Sequence, residues 1–82
     1  MSHVPHELAE DFPDDAALIH ALKRDNAHFA RLADAYHVVN RAVHRIETKV
    51  EAASDVRHEE LRRERMRLKD EIAAMLRAAK AR

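Results

Sequence analysis

Large apolar residues recur at Phe29, Leu32, Tyr36, Val39, Val43, Ile46 and Val50, with spacings of 3, 4, 3, 4, 3 and 4. Two positions of every heptad are filled, which is the pattern of a coiled-coil seam. At 3.6 residues per turn they fall on one helical stripe. A lone helix would leave that stripe in water, so the pattern predicts a second helix packed against it. His58, Leu61, Arg65, Leu68, Ile72, Met75 and Ala79 repeat the spacing. Between the two runs the phase slips by one residue, and Ser54-Asp55 offers a helix cap at the slip. The chain is therefore expected to be all-α. An antiparallel helical hairpin of the coiled-coil type, with helices over about 27–50 and 54–79, is favoured over one continuous rod.

Upstream, Pro13 suits a first helical position, and Asp14 and Asp15 suit the positive end of a helix. A short helix is expected over about 13–24, with Leu18, Ile19 and Leu22 on its apolar side. Residues 1–12 read as a partly ordered arm, and residues 13–82 as a single hairpin domain. In the antiparallel register Asp25 lies opposite Ala79, so the short helix has no long partner to extend along. Its apolar side must fold back onto the hairpin or meet another chain.

A second stripe, Ala35, Val38 and Ala42, lies beside the main seam, and its small residues allow close helix approach. A two-helix hairpin covers one side of each helix, whereas two hairpins form a four-helix bundle with a shared interior. A homodimer with Val38 and Val39 near the interface is expected. The expected core and interface set is Phe29, Leu32, Tyr36, Val38, Val39, Val43, Ile46, Leu61, Arg65, Leu68, Ile72 and Met75. Arg65 occupies a seam position where Leu or Ile would be more stabilising. In the antiparallel pairing it faces Val39, with Tyr36 and Asn40 within reach. Its stem can lie on the core while its head escapes sideways to a polar partner or water, and it is expected to specify register more than it stabilises.

Composition narrows the picture. Eighty-two residues make at most one small domain with little core to spare. With no Gly and only two Pro, helix formers dominate and a sheet protein is disfavoured. Without Cys there is neither a disulfide framework nor a thiolate metal site. No apolar run reaches the roughly 20 residues of a membrane span. The N-terminus lacks a signal-peptide pattern, so a cytoplasmic location is the expectation. Net charge is zero, yet residues 1–25 carry six acids against two bases, and residues 54–82 nine bases against six acids. Complementary packing of an acidic head near a basic tail, or plain solvated faces, accounts for this. Nucleic-acid binding by the Arg-rich third helix is the alternative, disfavoured because acids interleave with the bases.

Chemistry is sparse. The seven His include no i, i+4 pair or HExxH pattern of a helical zinc site. Ser2, Thr48 and Ser54 are the only hydroxyl nucleophiles besides Tyr36, and none has a base at helical spacing. There is no Gly-rich phosphate loop. No catalytic, cofactor-binding or metal-ligating residue is assigned, and an enzyme is the weakest reading.

Phe29-Ala30-Arg31-Leu32, Tyr36-His37, Asn40-Arg41, His44-Arg45-Ile46-Glu47, Leu68-Lys69-Asp70-Glu71-Ile72 and Met75-Leu76, with Val4-Pro5-His6-Glu7-Leu8 and Phe12-Pro13, together resemble the YdcH-like family of small bacterial proteins. The resemblance implies a cytoplasmic helical hairpin or coiled coil with no assigned activity. The expectation is a non-enzymatic protein–protein interaction or oligomerisation module, with an unidentified protein as a further partner. The alternative is a nucleic-acid-associated regulator.

Overall fold

The computed structural model describes residues 8–48 and 54–81. It is all-helical among those residues, and the helices pack against one another. A single helical turn, α1 (Leu8–Asp11), leads through a 3-10 turn (Pro13–Asp15) into α2 (Ala16–Asp25). The long helices follow: α3 (Ala27–Glu47) and α4 (Asp55–Lys80). At a rise of 1.5 Å per residue, the 26 residues of α4 measure about 39 Å, so this helix alone spans most of the 44 Å long axis.

Local signals place the breaks. Phe12, before Pro13, is non-helical at φ −130°, ψ 64°. Asn26 then serves two helices without any glycine. Its N–H donates to Leu22 O at 2.8 Å and closes α2, while its Oδ1 accepts from the Phe29 N–H at 3.0 Å and opens α3. Ser54 caps α4 by accepting from the Arg57 N–H at 3.1 Å. α3 ends at Glu47, where the Thr48 hydroxyl donates back to His44 O at 2.9 Å. The expected continuation over Lys49 and Val50, and the connector residues 51–53, lie outside the described residues, as does the arm over 1–7.

Two cross-helix contacts fix how α3 and α4 face each other. Arg65 Nη1 donates to Asn40 Oδ1 at 3.4 Å, and His58 Nε2 lies 3.8 Å from Glu47 Oε2. Residue numbers fall along α3 as they rise along α4. Of the expected seam, Phe29, Leu32, Tyr36, Val43, Leu61, Leu68 and Ile72 are buried. Val39, Ile46, Arg65 and Met75 are half-buried, and Val38 is 66% exposed.

The buried stripe departs from the heptad reading at the C-terminal end of α4. Leu76, not Met75, is the deeply buried residue there. A straight helix drifts from a strict heptad, and here the drift turns the stripe toward a third layer. Leu76 shares a core cluster with Leu8 of α1 and Ile19 of α2, together with Phe29, Tyr36 and Ile72. The same layer buries Ala33, a position outside the seam. Residues 8–12, expected to belong to the arm, carry α1 and the core residue Leu8. Leu18 and Leu22 are half-buried against that cluster, so α2 folds back onto α3.

His58 is an unfavourable seam residue. Its Nε2 is buried without a hydrogen-bond partner, and the Glu47 carboxylate at 3.8 Å is too far to supply one. A buried orphan of this kind costs about 1–3 kcal/mol. His58→Leu fills the same position with an apolar side chain and should raise stability by about 1 kcal/mol, read from the urea midpoint. A lower midpoint would show that the contact with Glu47 is a stabilising ion pair.

Candidate functional site

Three features of the surface are set by the helix faces. The first is the outer face of α3. Ala35 and Val38 are exposed and Ala42 half-buried, on the side of the helix away from Tyr36 and Val43. Asp34 and Arg41 border this stripe, both exposed.

The second is a polar crossing where α1 meets the two long helices. The Tyr36 hydroxyl donates to Asp11 Oδ2, and Lys69 Nζ lies 4.0 Å from Asp11 Oδ1. The Asp11 side chain is only 9% exposed and Tyr36 only 2%, so this bond is made largely out of water. About three turns further along α4, Lys80 Nζ donates to both oxygens of Asp15 at 3.2 Å. The acidic N-terminal segment thus lies along one flank of the basic helix. This is the complementary packing that the uneven charge distribution suggests.

The third is an open groove of ≈ 370 Å³ on that same flank, lined by Tyr36 of α3 and by Glu59, Arg62, Arg63, Arg65, Met66 and Lys69 of α4. Tyr36 and Lys69, which contact Asp11, also line the groove, so it abuts the Asp11 contact. Arg63 is taken by Glu59 at 3.2 Å. Arg65 is half-buried, and its hydrogen bond is the 3.4 Å one to the neutral Asn40 amide. Asn40 is itself 1% exposed. Arg62 makes no ion pair among the described residues.

Elsewhere on α4, Arg67 donates to both Glu64 and Glu71. Its hydrogen bond holds the Glu64 carboxyl below the usual range, and the Glu64 carboxylate in turn raises the guanidinium. Both are surface groups, and such pairs stabilise little. Among the described residues, no three His, Asp or Glu side chains cluster as metal ligands. No helix there is long and apolar enough to cross a membrane.

A family model described as a protein of unknown function, DUF465, matches residues 29–76, more than half of the chain. The chain belongs to the DUF465 family. The matched segment runs from Phe29 to Leu76, two deeply buried core residues, and spans the facing lengths of α3 and α4. No curated protein and no solved structure matches the chain. The Asp11 and Asp15 contacts with Lys69 and Lys80 draw on residues outside the DUF465 match.

Sequence pattern alone missed Asp11, Leu76 and the burial of Asn40. Asn40 and Asp11 are polar, so apolar periodicity passes over them. The signal for Asn40 was its place within reach of Arg65 in the antiparallel register.

Proposed function

We propose that this DUF465 chain is a small, non-enzymatic protein–protein interaction or oligomerisation module of the YdcH-like type. It works through the outer faces of an antiparallel helical hairpin, in the cytoplasm of a bacterial cell. The observation that carries this reading is the outer face of α3: Val38, a large apolar residue, is 66% exposed between the small residues Ala35 and Ala42. An apolar stripe with small neighbours lets a second helix approach closely, and a hairpin leaves this side of α3 uncovered. Two copies related by a twofold axis would join these faces into a four-helix bundle, with Val38 and Val39 at the junction.

Light scattering at micromolar concentration tests the reading. The expected mass is that of two chains, with Val38→Glu giving one chain at unchanged helicity, since Val38 takes no part in the buried core. A well-folded wild-type mass of one chain, unaltered by Val38→Glu, would reject the dimer.

A further inference from the structure

We infer that the groove on α4 is a docking site for an acidic, amphipathic segment of a partner protein, held by carboxylates on Arg62 and Arg65 with an apolar residue against Met66. The inference rests on the reading of the chain as an interaction module, but not on its dimerisation.

The chain itself supplies the precedent. Arg62, Lys69 and Lys80 are spaced 7 and 11 residues apart, close to two and three whole turns, so they share one flank of α4. Two of the three cations already receive carboxylates from the N-terminal segment: Asp11 sits at Lys69 and Asp15 at Lys80. Beside those carboxylates the same segment sends apolar side chains inward, with Leu8 in the core and Phe12 packed against it. Acidic residues on the flank with apolar residues toward the floor is therefore a binding mode this crevice supports. The groove abuts the Asp11 contact, on the side of Lys69 away from Lys80.

The length left uncovered by the described residues repeats the chemistry of the covered one. Arg62 lies two turns before Lys69, exposed and without an ion pair among the described residues. Arg65 is half-buried, and its partner is a neutral amide at 3.4 Å. A guanidinium so placed gains more from a carboxylate than from an amide oxygen, and its planar fork suits two-point contact. Met66 is 61% exposed and supplies an adaptable apolar surface between the cations. At ≈ 370 Å³ the groove takes several side chains rather than a single small ion.

Nucleic acid fits less well. Single strands bind by stacking bases on aromatic rings as well as by charge. The Tyr36 ring is 2% exposed and its hydroxyl is committed to Asp11, so it offers no stacking face. Glu59 lines the groove, with Glu60 beside it on α4.

A fluorescently labelled peptide with the sequence of residues 8–15 is the probe, because its carboxylates and apolar residues already show this mode. It is titrated with the full chain and followed by anisotropy. Saturable binding is expected, weakened about tenfold by Arg62→Glu and largely kept by Arg62→Lys. Arg77→Glu removes an exposed cation elsewhere on α4 and should leave binding unchanged. Equal losses in Arg62→Glu and Arg77→Glu would overturn the site in favour of diffuse attraction by a basic helix. Indifference to Arg62→Glu would also overturn it, since the peptide would then be exchanging with the chain's own α1. Tighter binding of a uridine homopolymer than of the peptide would reassign the groove to nucleic acid. Masses measured on the same samples separate the two readings. A dimer that ignores the peptide rejects the groove alone, and a monomer that binds it rejects dimerisation alone.

Discussion

Phe29→Ala should leave most of the protein unfolded at room temperature. Phe29 is fully buried, in the first turn of α3, in the cluster that unites all four helices through Leu8, Ile19, Tyr36, Leu68 and Ile72. Removing a buried Phe ring costs about 3–5 kcal/mol through lost transfer energy and the cavity left behind. A core in a domain near this size supplies only roughly 3–5 kcal/mol of net stability, so the loss matches the whole. Backbone relaxation cannot close the gap easily, because the Phe29 N–H is held by the Asn26 side chain at 3.0 Å. Val39→Ala is the comparison. Val39 is half-buried, and its truncation should cost about 1 kcal/mol and leave a cooperative transition. Urea titrations followed by far-UV circular dichroism read both variants. A Phe29→Ala protein that still melts cooperatively, with a loss no larger than that of Val39→Ala, would show that the three-layer cluster is not the centre of stability.

The contrast between these residues shows what a heptad pattern conveys. Phe29 and Val39 are equivalent in the periodicity, being both apolar and both on the seam. Their burial differs because the buried face of α3 runs through Tyr36, Asn40 and Val43, which leaves Val39 at its edge. Periodicity reports which side of a helix faces a partner, but not how many partners arrive. This is also why Leu76 replaces Met75 at the end of α4. A seam computed for one neighbour rotates when a second neighbour packs on its flank. Helix starts and stops were more legible, since capping by Asn26 and Ser54 is decided by chemistry within three or four residues.

The candidate surfaces were legible to different degrees. The Ala35, Val38 and Ala42 stripe follows from spacing within one helix. The groove does not follow from any local pattern. Its lining joins Tyr36 of α3 to Arg62, Arg65, Met66 and Lys69 of α4, and two of these residues contact Asp11 of α1. Charge totals suggested only that an acidic segment packs near a basic one. Which carboxylate meets which lysine depends on the path through Pro13 and on the fold-back of α2, and these are tertiary facts. Arg65 stands between the cases. Its seam position and its reach toward Asn40 are sequence-level geometry, whereas the near-complete burial of Asn40 is not.

Asp11→Ala should detach α1 from the helix pair while α3 and α4 stay folded, at a cost of about 2–3 kcal/mol. Asp11 is the point at which three elements meet: its own helix, Tyr36 of α3 and Lys69 of α4. With its side chain 9% exposed, it accepts the Tyr36 hydroxyl hydrogen bond in a poorly solvated place, where such a bond is stronger than at the surface. Truncation removes that acceptor from a tyrosine that is 2% exposed, and removes the carboxylate facing Lys69. α1 has only four residues, too few to persist without tertiary contacts, so losing this anchor frees Leu8 as well. Hydrogen exchange should show the loss concentrated in amides of α1 and the start of α2, with the middle of α4 retaining its protection. The thermodynamic signature is coupling. Tyr36→Phe deletes the other half of the same bond, so the double variant should be more stable than the two single losses imply, by about 1–2 kcal/mol. Asp11→Asn keeps an acceptor for the hydroxyl but not the charge beside Lys69, and should fall between wild type and Asp11→Ala. Strictly additive losses in the cycle, or exchange that rises uniformly through α3 and α4, would mean that apolar burial of Leu8 holds α1 in place and that the polar crossing contributes little.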